Sequence, residues 1–430
     1  MAAPEAHETD ARTDRLIDDF AAFVQASPSS YHAAEETARR LEDAGFDRLD
    51  ETADWPVGPG RHVVVRDGAV IAWIVPEGAG ATTPFRIVGA HTDSPGFKLK
   101  PEPTSSAAGL LQAGVEIYGG PLLNSWLDRE LELAGRITTA DGETRLVRTG
   151  PLLRIPQLAI HLDREVGNGL ALDRQRHVQP VWGVDAPGTE LLDVVGDAAG
   201  VRAADILGHD LLTVDTQPPA RFGAGRTFFA SPRMDNLTSV HAGLRALLES
   251  DGSTSIRVLA AFDHEEIGSE SRSGASGPFL EDVLVRVLHG LGADAAERRR
   301  AFAASWCVSS DAGHAVHPNY PERHDPGHRP VLGGGPLLKI NANQRYTSDA
   351  PGEALWRRAC AAAGVATQPF VSVNTIPSGS TIGPLSATRL GIRSVDVGAP
   401  LLSMHSAREL ADVRDLVGLG DALAAFLGGA

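Results

Sequence analysis

Apolar positions near the start of the chain recur every three to four residues. Leu16, Ile17, Phe20, Phe23 and Val24 share one face and predict an amphipathic helix. A second helix is expected from just after Ser30 to a stop at Gly45. The pattern then changes to nearly continuous apolar runs over 62–65 and 70–75. The run Phe85-Arg-Ile-Val-Gly-Ala90 reads as a buried strand that leads straight into His91-Thr92-Asp93. Between 101 and 226, short apolar runs are broken by Gly and Pro, and Arg136 to Val147 centres on Asp141-Gly142, a hairpin signal. Beyond this stretch, Leu237, Val240, Leu244, Leu247 and Leu248 mark a helix, and Ile256 to Phe262 a strand ending in Asp-His-Glu-Glu. Further strands are expected at 306–309 and 394–397, and a closing helix from about Ala407 to Phe426. Strands alternating with helices predict an α/β fold, a mostly parallel sheet flanked by helices. The expected organisation is one domain formed by 1–100 and 227–430, interrupted by an inserted β-rich module over 101–226.

Composition narrows the function. The chain has 430 residues, and its 39 basic against 55 acidic residues give a net charge of −16, which argues against binding a phosphate backbone. No apolar run approaches the ~18 residues of a membrane span. The stretch MAAPEAHETDARTDR is polar and carries no apolar signal core, so a cytoplasmic protein is expected, with no membrane or nucleic-acid partner. Cys307 and Cys360 are too few and too isolated for a disulfide framework or a zinc knuckle.

In open α/β sheets ligands sit beyond the carboxyl ends of the strands. The polar groups at the predicted ends are His91 and Asp93, then Glu265 and Glu266, then Asp311, with Asp235 and His405 at loop-to-helix junctions. Each has an ordinary alternative. His-Thr-Asp can be a capped turn, Glu265-Glu266 a solvated loop, Asp235 a helix cap, and His405 a cap or core histidine. Asp311 and His314, followed by His317, His324 and His328, can be a surface cluster. Taken jointly, imidazoles and carboxylates without thiolate suit zinc, manganese or cobalt, and there are enough of them for two ions. Two metals ~3.5–4 Å apart serve nucleases, phosphatases and aminopeptidases.

The stretches GAHTDSPGFKLKP, GVEIYGGPLLNSWLDRELELAGR, LLRIPQLAIHLDR, SPRMDNL, FDHEEIGSESRSGA, SSDAGHAVHPNY, LLKINANQRY, SGSTIGP and LLSMHSARE run in order from about residue 15 to the end. In these the chain resembles the aspartyl aminopeptidases, di-zinc metallopeptidases whose catalytic domain is interrupted by a β-rich dimerisation domain. The resemblance implies the di-zinc peptidase fold and two Zn2+ per subunit, with Co2+ or Mn2+ as substitutes. It implies that Asp235 bridges the ions, that His91 and Asp311 complete one site, and that Glu266 and His405 complete the other. Glu265 would be the general base, Asp93 would orient His91, and His161 would hold the oxyanion from a neighbouring subunit. Lys339, Tyr346 and His314 would line the pocket for the substrate's first side chain. The implied substrates are peptides with N-terminal Asp or Glu, and the implied assembly is a homo-oligomer of dimers, up to a dodecamer. A broader or glutamyl preference is the nearest alternative; a non-catalytic assembly protein on this fold would be expected to lack Glu265.

Two further features bear on specificity. Asn374-Thr375-Ile376 stands where family members tend to carry an acidic residue, and Asn343 and Gly313 also depart from the usual pattern. Lysine occurs only at 98, 100 and 339, against 36 arginines, so Lys339 persists against a strong arginine bias. An ammonium suits a short carboxylate where a guanidinium would overfill the pocket.

Overall fold

The computed structural model describes residues 11–430; the first ten residues of the polar N-terminal stretch lie outside the described residues. A nine-stranded sheet forms the centre of the molecule. Its middle is four parallel strands, Ile256–Phe262, Phe85–His91, Trp306–Ser310 and Arg393–Gly398, in that spatial order. On one side Ala69–Val75 and Gly60–Arg66 extend it antiparallel, and Asp47–Arg48 completes that edge. On the other side Leu337–Ile340 runs antiparallel to Arg393–Gly398 and is followed by Gln368–Val371.

Both faces of this sheet are buried, which is why its strands read as continuous apolar runs. Alternate residues point to opposite faces. Val88, Ala90, Leu259, Ala261 and Val308 join one core with the helices Ala11–Ala26, Ser30–Asp43, Met234–Glu249, Ala350–Ala362 and Val413–Gly428. Phe85, Ile87, Val258, Ala260, Phe262 and Cys307 join the other, beneath Phe279–Gly290, Ala295–Ala304 and Ile382–Leu390. The helix from Ser30 is capped by Ser29, whose side chain accepts from His32 N.

A second sheet of six strands takes its residues from Gly96 to Val184 and from Ile206 to Asp215, and has its own core around Phe97, Trp126, Leu133 and Leu211. It begins a few residues before the 101 boundary read from the sequence. Its hairpin Leu131–Thr139/Thr144–Arg148 turns at Asp141-Gly142, with Gly142 at φ 86°.

The closing helix differs from its expected start at Ala407. Glu409–Asp412 is a strand, paired antiparallel with Phe228–Ser231, and the helix begins at Val413. The Asp412 side chain accepts from Arg414 N and caps it. Tertiary pairing overrides the helical spacing of the preceding residues. Among the described residues no helix is long and apolar enough to cross a membrane.

Candidate active site

The carboxyl ends of the middle strands meet at one buried cluster. His91 closes its strand, Asp263 to Glu266 follow Phe262, and Asp311 follows Ser310. Asp235 enters from the irregular first turn of Met234–Glu249, where its own backbone is non-helical, after Arg233 in the left-handed region at φ 55°. His264 at φ 64° and His405 at φ 64° also take this conformation, sparsely populated by residues with a Cβ, and it turns the chain sharply at both places.

Asp235 lies at the centre. Its Oδ1 is 3.3 Å from His91 Nε2, and its Oδ2 is 3.4 Å from His405 Nε2. Asp311 Oδ1 lies 3.6 Å from the same His91 nitrogen, and Glu266 Oε2 lies 3.3 Å from His405 Nε2. Glu265 Oε2 stands further back, 4.0 Å from His91 Nε2. The other ring nitrogens are occupied: His91 Nδ1 is 3.1 Å from the Asp93 carbonyl and His405 Nδ1 is 3.0 Å from the Gly120 carbonyl. With Nδ1 directed at a carbonyl, Nε2 is the nitrogen that faces the carboxylates and would offer its lone pair to a metal, the arrangement of a metal-ligating histidine.

Two buried carboxylates lock the backbone of this cluster. Asp93 Oδ1 accepts from Glu265 N at 3.0 Å, and its Oδ2 accepts from Glu266 N at 3.2 Å and from the Tyr118 hydroxyl at 2.7 Å. Glu409 accepts from Asp235 N at 3.0 Å with one oxygen and from His405 N at 2.9 Å with the other.

The electrostatics show a cluster short of positive charge. Burial pushes the Glu265 carboxyl up to about 8, and the charges of Asp311, Asp93 and Asp235 add to this. Burial and Asp235 likewise raise Glu266. Burial opposes charge on His91, yet Asp235, Asp311 and Asp93 hold it well above its ordinary value. His405, also opposed by burial, is pushed up to about 10 by Asp235 and Glu266. The donor set fits a cation on a second count. Among the described residues Asp235 Oδ1 and Glu266 Oε1 are buried with no hydrogen-bond partner, and such orphaned anionic oxygens are costly unless something positive meets them. His91, Asp235 and Glu266 each bring one ligand atom within 4.8 Å of the others.

The comparisons agree with this chemistry. The family described as Aminopeptidase I zinc metalloprotease (M18) matches residues 23–427. The chain belongs to the M18 family. A probable M18 family aminopeptidase 2 of Streptomyces avermitilis is 55% identical over 420 residues, covering 96% of this chain and 97% of that one. The protein of the same description from Mycobacterium leprae is 45% identical over 415 residues, covering 95% and 97%. Among solved structures, a chain of the cryo-EM Ape4 and Nbr1 complex aligns with a TM-score of 0.94 at 34% identity, covering 98% of this chain and 88% of that one. The S. cerevisiae mApe1 dodecamer aligns at 0.84 and 28% identity, covering 97% of each. The M18 assignment makes the chain a zinc metallo-aminopeptidase, a hydrolase of peptide bonds.

The other sequence-selected residues of this M18 aminopeptidase fall in two places. Lys339 lies behind Asp311 and is only 2% exposed; its Nζ donates to the Ala312 carbonyl at 2.7 Å and stands 3.4 Å from Asp311 Oδ2. It sits 5.4 Å from the centre of the Tyr346 ring, and Tyr346 and His314 each flank Phe370 with ring centres 6.2 Å away. His161 is in an exposed turn, Leu162 N bonding Ala159 O, among the exposed apolar side chains Leu158, Ile160 and Leu162. It is no core histidine of a strand, and it contacts none of the cluster residues within its own chain. Two contributors went unread in the sequence, Tyr118 and Glu409. Both stand inside family-like stretches, but only the three-dimensional pairing reveals what they touch.

Proposed function

We propose that this zinc aminopeptidase holds two zinc ions per subunit and removes N-terminal aspartate and glutamate from peptides. The observation that carries the two-ion reading is Asp235, whose two oxygens face two different imidazoles. His91 and Asp311 would hold one ion, Glu266 and His405 the other, and Asp235 both; cobalt or manganese would accept the same oxygen and nitrogen donors. When bound there, zinc supplies a Lewis acid that polarises the scissile carbonyl and makes water acidic enough to react near neutral pH.

The chain's own groups do the rest. Glu265 takes the proton of the attacking water and returns it to the leaving amine. Asp93 keeps Glu265 and Glu266 turned in different directions through their backbone amides, so that one serves as base and the other as ligand. The buried ammonium of Lys339 pairs with the carboxylate of the substrate's first side chain, and Tyr346 and His314 wall that pocket. His161 donates to the tetrahedral oxyanion from a neighbouring subunit, which fits an exposed turn flanked by apolar side chains seeking burial. The module over 101–226 is accordingly a dimerisation domain and lid on the catalytic domain of 1–100 and 227–430. Dimers would assemble further, as the structural neighbour described as a dodecamer suggests. The enzyme would work in the cytoplasm.

Zinc content per subunit, measured with the rates on aspartyl- and leucyl-anilides, tests the reading. Two equivalents and a preference for aspartyl are expected. One equivalent would overturn the two-ion centre, and equal rates would favour a broad specificity.

A further inference from the structure

The strand Leu110–Tyr118 belongs to the second sheet, yet its end reaches into the cluster built on the first. It pairs with Gly96–Ala107 so that Tyr118 stands opposite Gly96, beside the chain that leads away from His91. Three consecutive residues then meet three different members of the site. The Tyr118 hydroxyl donates to Asp93 Oδ2 at 2.7 Å. Gly119, at φ 67°, packs so closely on Glu266 that a Cβ in its place would lie 3.2 Å from the Glu266 Cβ. The Gly120 carbonyl accepts from His405 Nδ1 at 3.0 Å, and Leu122 N ties down the His405 carbonyl at 2.9 Å.

We propose that Tyr118-Gly119-Gly120 is a positioning strap through which the second sheet sets the ligand geometry of the metal centre. The inference rests on the reading of His91, Asp235, Glu266, Asp311 and His405 as metal ligands. Tyr118 steers Asp93, the carboxylate that fixes the backbone of Glu265 and Glu266. Gly119 admits the Glu266 side chain, and a methyl there would push it. Gly120 selects the His405 tautomer that leaves Nε2 free. Their contacts are with Asp93, Glu266 and His405, so they act through these residues as positioning residues. Partners of this kind, one step behind the ligands, are worth 10–100-fold in metal affinity.

The test is cobalt titration of the full-length protein stripped of metal, followed through the visible d–d absorption, on wild type, Tyr118→Phe and Gly119→Ala. Wild type should take up two Co2+. Tyr118→Phe should bind at least one of them about tenfold or more weakly, with an altered d–d band at saturation and a loss in kcat larger than any rise in KM. Gly119→Ala should weaken the ion held by Glu266 and shift the same band. A purely structural role would lower the melting temperature of the metal-free protein and leave the saturated spectrum as in wild type. Wild-type affinity and spectrum in Tyr118→Phe overturn the strap, and that variant decides alone if Gly119→Ala fails to fold. Failure of wild type to bind cobalt overturns the metal reading itself, a distinct outcome.

Discussion

Replacing Glu265 by glutamine separates the proposed roles of two adjacent glutamates. The amide has the shape of the carboxylate, and the backbone hydrogen bond from residue 265 to Asp93 Oδ1, at 3.0 Å, does not depend on the side chain. Among the described residues the Glu265 carboxylate accepts no hydrogen bond, so the substitution leaves no buried donor stranded. What is lost is the ability to take up a proton. General-base catalysis supplies about 10²–10⁴ in rate, which at 1.36 kcal/mol per decade is roughly 3–5 kcal/mol of barrier. Glu265→Gln should therefore keep its zinc and lose kcat by that factor or more. Glu266 differs in that its Oε2 faces His405 Nε2 at 3.3 Å and, among the described residues, its Oε1 is orphaned, so Glu266→Ala removes a proposed ligand and should cost one equivalent of zinc. Metal analysis of both variants, together with kcat on an aspartyl-anilide, decides the matter. A Glu265→Gln enzyme that retains more than about a tenth of wild-type kcat, an effect below ~1.4 kcal/mol, refutes the assignment, as does loss of zinc from that variant.

Lys339→Met should lower kcat/KM for aspartyl substrates on the order of a hundredfold or more, since a substrate carboxylate buried without its cation is penalised by roughly 3–5 kcal/mol. Equal losses on leucyl substrates would show that Lys339 acts only on Asp311, 3.4 Å away. Subunits carrying His161→Ala and Glu265→Gln, each nearly inactive alone, should regain part of the activity when assembled together; verified mixed dimers without it would refute the role of His161 in the neighbouring subunit's site. Burial, with Arg148 and Arg233 nearby, depresses His32 to about 4. The unfolded chain binds that proton from about pH 6.5 downward, so the folded state loses stability as pH falls from there to about 4, by at most about 3 kcal/mol. His32→Gln should flatten this part of the stability–pH profile in urea melts, and an unchanged slope would assign it to other groups.

How much of this could be read from the chain depends on how local each signal is. His91, Glu265, Glu266 and Asp311 follow apolar strands whose burial on both faces is written in their composition, and the strand-end rule finds them. Asp235 and His405 stand on tight corners with no periodic signal, and only the resemblance of whole stretches distinguishes them from caps. The strand Glu409–Asp412 was hidden because its partner, Phe228–Ser231, lies far back in the chain. That pairing is also what brings Glu409 to Asp235 N, across 174 residues of sequence. Tyr118 has the same character, being an aromatic residue at a strand end until the register of the second sheet aims its hydroxyl at Asp93.

These non-local contacts explain why a cluster so rich in carboxylates can be held ready for a cation. Asp93, Asp235, Glu265, Glu266, Asp311 and Glu409 converge on two imidazoles and one lysine, a combination that would be expected to spring apart. Asp93 and Glu409 resist this because each spends its two oxygens on backbone amides, those of Glu265 and Glu266 in one case and of Asp235 and His405 in the other. Amide hydrogens favour the charged form and fix the carboxylate in place: the Asp93 carboxyl is lowered although burial opposes its charge, whereas burial and Asp235 still outweigh the amides at Glu409 and push its carboxyl up to about 8. The ligand carboxylates have no such satisfaction, and the orphaned oxygens of Asp235 and Glu266 carry the remaining demand for positive charge. The division of labour is thus set by where the amides are. Carboxylates supplied with backbone donors become the frame, and those denied them, Asp235, Glu265 and Glu266, are left free for the proposed roles of ligand and base.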